Sequence, residues 1–144
     1  MEGLVISSAA WRGRSVLVTG HTGFKGGWLA IWLNQLGAEV HGLALDPPGD
    51  PNLFEAASVA EALTSDSRVD LADLDSVERV VEHARPSVVF HLAAQPLVLR
   101  GYEDPVGTWR TNVLGTVHLL EAVRHSPTVR TVVIATTDKV YENE

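Results

Sequence analysis

Cysteine is absent from the 144 residues, which excludes disulfides and thiolate metal sites and leaves the redox compartment open. Clusters of cations are missing as well. Against a formal charge of -7, no local run of Lys or Arg offers nucleic acid or an anionic membrane a landing place, so any anionic ligand must be met by local donors. No apolar run is long enough for a membrane span, and the stretch from Met1 to Ala10 lacks the basic leader of a secretory signal; the expectation is a cytoplasmic protein. None of the six histidines pairs with another at a metal-binding spacing, so no metal is expected. There is no internal repeat or low-complexity tract. With 45% hydrophobic and 20% charged residues, the composition suits one domain over residues 1–144 with a buried core, and two full domains will not fit.

The most informative stretch runs from Val16 to Trp28 and reads Val-Leu-Val-Thr-Gly-His-Thr-Gly-Phe-Lys-Gly-Gly-Trp. An apolar strand enters three glycines spaced three apart and leaves as an amphipathic helix. Gly20 suits the tight turn, Gly23 lets backbone approach a pyrophosphate, and Gly26 lets the helix pack on the strand. The N–H groups at the helix start face the anion. Chance turn-forming glycines are the competing reading, and the flanking strand and helix argue against it.

Strand-like runs at Ser15 to Thr19, Glu39 to Leu43, Ser67 to Val69, Ser87 to His91 and Thr131 to Ala135 alternate with helical patterns. Such alternation predicts parallel strands with right-handed helical crossovers: an α/β, doubly wound parallel sheet of the Rossmann type, here ending after its fifth strand. Trp28, Leu29, Trp32, Leu33 and Leu36 form one apolar stripe, so both tryptophans are expected in the core. Between Asp46 and Thr64 a Pro- and Gly-rich run and a short Ala-rich helical pattern read as a surface excursion. A third helix is expected over Asp75 to Ala84, with Val77, Val80 and Val81 inward. A fourth begins at Asp104 and Pro105 and runs to about Arg124. This last helix is apolar on more than one face, through Val106, Trp109, Val113, Leu114, Val117, Leu120 and Val123, and a homodimer partner is expected to cover the surplus.

Several polar residues stand at the strand ends where an open α/β sheet binds ligands. Asp46 follows the second strand, placed to accept hydrogen bonds from adenosine ribose hydroxyls and to repel a 2'-phosphate, which favours NAD over NADP; an ordinary turn residue is the alternative. Asp70 and Leu71 end the third strand and are placed to bracket an adenine, or Asp70 simply caps the next helix. Leu92, Ala93 and Ala94 close the fourth strand with side chains small enough for a cofactor to lie across them. His91 reads as a satisfied core histidine rather than a base or ligand. Asn112, a poor helix former in a helix interior, needs an offsetting bond and is expected to brace the strand that carries the site, unless it faces solvent. After the fifth strand, Thr136, Thr137, Asp138 and Lys139 bring side chains of different acid/base character to the crevice.

Together with Trp11 to Arg14, Ala44 to Pro48, Phe90 to Val98, Thr111 to Thr116 and Thr136 to Tyr141, the glycine run resembles the extended short-chain dehydrogenase/reductases, in their branch of nucleotide-sugar epimerases and dehydratases. The Gly-His-Thr-Gly-Phe-Lys-Gly run with Thr-Asp-Lys is similar to the CDP-glucose 4,6-dehydratases within that branch; the dTDP-glucose enzymes carry Glu where Lys139 stands. The resemblance implies a lyase with bound NAD. It takes hydride from sugar C4, the 4-keto group acidifies C5, water leaves from C6, and the hydride returns to C6. It implies cofactor contacts from Gly20, Thr22, Gly23, Phe24, Lys25 and Gly26 at the pyrophosphate, with Asp46, Asp70, Leu71, Leu92, Ala93, Ala94, Asn112 and Thr136 around the rest. Gln95 would contact the substrate, CDP-glucose. By the same resemblance Thr137 hydrogen-bonds the C4 oxygen, Asp138 protonates the departing C6 hydroxyl and Lys139 serves the C5 proton transfer, roles that call for pKa values tuned toward neutrality.

The family's Tyr-x-x-x-Lys pair has no counterpart, since neither Tyr102 nor Tyr141 has a lysine four residues on. The expectation is therefore the NAD-binding part of a longer dehydratase, inactive alone, with an apolar fifth-strand edge in need of cover. A non-catalytic dinucleotide-binding module and a sister epimerase are the other readings left open.

Overall fold

A computed structural model describes residues 8–137. The chain runs β1 (Ser15–Thr19), α1 (Phe24–Gln35), β2 (Glu39–Ala44), α2 (Leu53–Ala56), β3 (Ser65–Arg68), α3 (Leu74–Ala84), β4 (Val88–His91), α4 (Val98–Glu103), α5 (Pro105–Trp109), α6 (Gly115–His125) and β5 (Thr131–Ile134). All strand pairs are parallel, in the order β3-β2-β1-β4-β5. The chain winds outward from β1 to β3, then returns to β4 on the other side of β1. The switch point of this Rossmann-like sheet thus falls between β1 and β4.

Side-chain alternation along β1 explains why it is central. Val16 and Val18 point into one apolar cluster with Ala30, Leu33, Val40, Phe54 and Val59, while Leu17 points into the other with Leu43, Val77, Val81, Val89 and Leu119. Both faces are covered: α1 and the segment around α2 on the first, α3 and α6 on the second. Each fully buried Leu or Val contributes roughly 1.5–3 kcal/mol from burial. No helix among the described residues is long and apolar enough to cross a membrane.

Three expectations are corrected. Trp28 and Trp32 are 51% and 47% exposed, because the face of α1 that meets the sheet is built from Gly26, Gly27, Ala30 and Leu33. Small residues permit close approach of helix to sheet, which leaves the bulky stripe outside. The excursion after Asp46 is not merely superficial, since Phe54, Val59 and Ala62 are buried and complete the first cluster. The expected single helix to Arg124 is divided: α5 passes through a π-helical turn at Arg110–Leu114 before α6.

Candidate functional site

The glycine turn is built by its own backbone. Gly20 adopts φ +78°, its N–H donates to the Leu43 carbonyl at 2.8 Å, and a Cβ there would lie 2.7 Å from the Ala93 nitrogen. A Cβ on Gly26 would overlap the Gly20 carbonyl oxygen. Gly23 differs, because a Cβ would find only the Gly20 oxygen, at an ordinary 3.4 Å, with open space beyond. The packing of the chain accounts for two of the glycines and leaves the third unexplained unless something is to lie against it.

The start of α1 points the same way. Helices α2, α3 and α5 are each capped by a side chain, from Asn52, Asp73 and Asp104, whereas α1 begins at Gly23 with no side-chain cap, as does the short α4 at Leu97. The N–H groups of Phe24, Lys25 and Gly26 have no intrahelical acceptor in a first turn, and the helix dipole adds partial positive charge. Phe24 and Lys25 themselves are exposed. A cradle of free amides beside a glycine with room for an approaching group fits a pyrophosphate.

Two side chains pin this turn to the neighbouring strands. Thr22 donates from Oγ1 to the Leu45 carbonyl at 3.0 Å, beside Asp46. His21 is fully buried, its ring fills the space a side chain at Gly42 would take, and Nε2 lies 2.9 Å from Asp66 Oδ1 on β3. Burial lowers the His21 pKa despite the pull of Asp66. Burial works to raise the Asp66 carboxyl, but the Arg68 fork and His21 outweigh it and hold it below the ordinary carboxylate value. Arg68 gives Asp66 two bonds, at 2.8 and 2.7 Å, stacks 4.7 Å over the Phe54 ring, and brings Nη1 to 3.6 Å from Asp46 Oδ1. The Asp46 side chain is 91% exposed at the end of β2.

The far side of the crevice is fixed by a hydrogen-bond chain. The Leu92 and Ala93 N–H groups both donate to Thr19 Oγ1 at 3.2 Å, so the Thr19 hydroxyl proton goes to His91 Nδ1 at 2.7 Å. His91 Nε2 then donates to Thr116 Oγ1 at 2.9 Å, and Thr116 to the Asn112 carbonyl at 2.7 Å. This direction requires a neutral imidazole, in keeping with the pKa lowered by burial. His91 is the satisfied core histidine that the sequence favours.

Asn112 sits in the π-helical turn, half-buried, and clamps the backbone of Gln95: its Oδ1 accepts from the Gln95 N–H at 2.7 Å and its Nδ2 donates to the Gln95 carbonyl at 3.1 Å. What it braces is the segment after β4. The Gln95 side chain donates to Thr108 Oγ1 at 2.9 Å and accepts from the Leu97 N–H at 2.7 Å, so both ends of its amide are engaged. Ala94 is exposed and Ala93 half-buried beside Gly20. Asp70 accepts from the Ala72 N–H and lies 3.8 Å from Arg110, while Asp73 takes the capping role on α3. The Leu71 side chain is buried in the second cluster and its carbonyl accepts from His118 Nδ1.

Thr136 and Thr137 are exposed just past β5. The pairing Thr19 to His91 to Ile134 sets the ends of β1, β4 and β5 along one rim, which puts the start of the glycine turn about 10 Å, two strand spacings, from the segment leading to Thr136. Asp138 and Lys139 lie outside the described residues. Thr19, His21, Thr108 and Arg68 escaped the sequence reading. For Arg68 a signal existed, since Asp66 and Arg68 are two apart and share a face if the segment is a strand.

Fold and glycine turn together define a Rossmann-like α/β domain. The chain belongs to the nucleotide-sugar epimerase/dehydratase family: the sequence model of the GDP-mannose 4,6 dehydratase family matches residues 17–143. It is 46% identical over 139 residues to a CDP-glucose 4,6-dehydratase of Salmonella typhimurium, covering 96% of this chain and 38% of the relative. It is 39% identical over 113 residues to a UDP-glucose 4-epimerase of Mycolicibacterium smegmatis, covering 75% and 34%. Among solved structures, the Thermus thermophilus UDP-glucose 4-epimerase, in complex with NAD, matches at TM-score 0.68 and 36% identity over 81% of this chain and 35% of that one. The chain thus spans little more than a third of the length of these relatives.

Proposed function

We propose that this chain is the NAD-binding part of a nucleotide-sugar 4,6-dehydratase that converts CDP-glucose to its 4-keto-6-deoxy product. The observation that carries the reading is Gly23, a glycine that neither turn strain nor packing demands, set at the uncapped start of α1. The 46% identity to the Salmonella dehydratase favours CDP-glucose. When bound, NAD would supply a hydride acceptor and donor for the sugar.

This chain's own residues would supply part of the rest, while the base that takes the C4 hydroxyl proton, the family's Tyr-x-x-x-Lys pair, has no counterpart among these residues. The amides of Phe24, Lys25 and Gly26 hold the pyrophosphate, Asp46 accepts from the adenosine ribose, and Leu92 to Ala94 leave room for the nicotinamide ribose. Thr137 hydrogen-bonds the C4 oxygen, Asp138 gives a proton to the leaving C6 hydroxyl, and Lys139 takes the proton from C5. A homodimer through residues 105–124 belongs to the same proposal, motivated by Val106, Trp109, Val117 and Leu120, which are 77%, 67%, 53% and 41% exposed.

Calorimetric titration with NAD is the direct test, with saturable binding expected and no binding ending the reading. In a protein carrying this segment, Asp138→Asn is expected to cut 4-keto-6-deoxy product formation by about 10²-fold or more. Unchanged turnover, or epimerisation of the sugar instead, would move the chain to the sister activity.

A further inference from the structure

Arg68 is held more firmly than a solvent-facing arginine needs to be. Its Nε and one Nη are both taken by Asp66, the guanidinium carbon sits 4.7 Å from the Phe54 ring centroid, and Asp66 is itself held by the buried His21 under the glycine turn. The remaining nitrogen, Nη1, reaches 3.6 Å from Asp46 Oδ1, beyond a good hydrogen bond but close enough to set the local potential. Asp66 therefore fixes the fork while Nη1 keeps donors to spare, and this happens beside the carboxylate assigned to the adenosine ribose. A planar guanidinium with free donors, immobilised before any ligand arrives, is the group that suits a phosphate monoester.

Resting on the NAD-site reading above, we propose that Arg68 is a second specificity-determining residue at the adenosine ribose. With Asp66 already bonded through Nε and Nη2, it is the directed Nη1 donor beside Asp46, rather than net charge, that offers a 2'-phosphate a partner and lets the site take NADP as well as NAD. Asp46 alone predicts exclusion of NADP. The pair predicts tolerance, with NAD bound through Asp46 and the 2'-phosphate of NADP met by Nη1. A guanidinium donor to a charged oxygen corresponds to about a tenfold change in affinity.

The experiment is titration of the intact chain with NAD and with NADP by calorimetry, repeated for Arg68→Met, Arg68→Lys and Asp46→Asn. Wild type is expected to bind NADP within about tenfold of NAD. Arg68→Met should weaken NADP about tenfold while moving NAD no more than about twofold, and Asp46→Asn should weaken NAD and strengthen NADP. Arg68→Lys keeps the charge and the stem over Phe54 but loses the fork; an NADP loss smaller than that of the Met variant is expected, and it serves alone if Arg68→Met melts early. Wild type that rejects NADP while binding NAD, or variants at Arg68 that leave the NADP to NAD ratio where it was, overturns the Arg68 proposal and leaves the NAD site standing. Binding of neither dinucleotide overturns both.

Discussion

Gly23 and Gly26 stand three residues apart in the same turn, yet they answer to different demands, and substitution separates them. A Cβ on Gly26 must displace the Gly20 carbonyl, so Gly26→Ala is expected to lower stability by about 1–3 kcal/mol, read as an earlier melt. A Cβ on Gly23 meets nothing closer than 3.4 Å, so Gly23→Ala should melt with wild type while losing tenfold or more in NAD affinity. Equal effects on melting would deny Gly23 a ligand-serving role. Thr19 makes a similar case for a residue easily passed over. Thr19→Val strips the acceptor from the Ala93 amide and the donor from His91, while the Leu92 amide keeps the Thr19 carbonyl, and the expected loss is about 2 kcal/mol by chemical denaturation, large for one hydroxyl.

Among the elements, the π-helical turn at Arg110–Leu114 invites its own test, because the extra residue it inserts brings Asn112 to the Gln95 backbone. Asn112→Ala is expected to cost about 1–3 kcal/mol and, more tellingly, to speed hydrogen exchange at the Gln95 amide without doing so on β1. Much of this level was legible in the sequence. Strong β-branched runs and glycine or aspartate stops gave β1, β2, β4 and β5 to within a residue or so, and Asp104 with Pro105 marked a helix start that the structure keeps. The misses have physical causes. Trp28 and Trp32 look like core on hydrophobicity alone, but contact distance between α1 and the sheet is set by small residues, which hydrophobicity does not rank. The π-helical turn has no propensity of its own to read. The offset of β3 to Ser65–Arg68 follows from its edge position, where polar residues pair as well as apolar ones. In the site, the glycine turn was visible because backbone geometry restricts residue type, whereas Thr19 and His21 act through contacts 40 or more residues away, which no local pattern encodes; for Arg68 only the i, i+2 pairing with Asp66 was local, and its contacts with Phe54 and Asp46 were not.

For the molecule as a whole, three buried histidines make stability fall as pH drops below neutrality. His21, His41 and His91 all have pKa values lowered from 6.5, in each case first by burial. The folded chain keeps them neutral while the unfolded chain protonates them, so the stability they allow is complete above about 6.5 and is lost as pH falls from there toward the lowered values. Three extra protons bound by the unfolded state give a slope of up to about 4 kcal/mol per pH unit in that window. Denaturant titrations at pH 7.5 and 5.5 check this: a marked fall in midpoint is expected, and His91→Phe, which breaks the chain to Thr19 and Thr116, should flatten the slope by about a third while lowering stability at neutral pH. A midpoint that does not move between the two pH values would mean that these rings gain compensating partners when charged.

The pinning of the glycine turn by Thr22 to Leu45 and by His21 to Asp66 has a kinetic corollary. A receptor loop that is already in its final shape pays little entropy on capture, so encounter with a dinucleotide should be a single fast phase whose rate rises in proportion to ligand concentration, without the plateau that a slow rearrangement imposes. Severing one tether, as in Thr22→Val, would let the loop wander and convert capture into a two-step process visible by stopped flow.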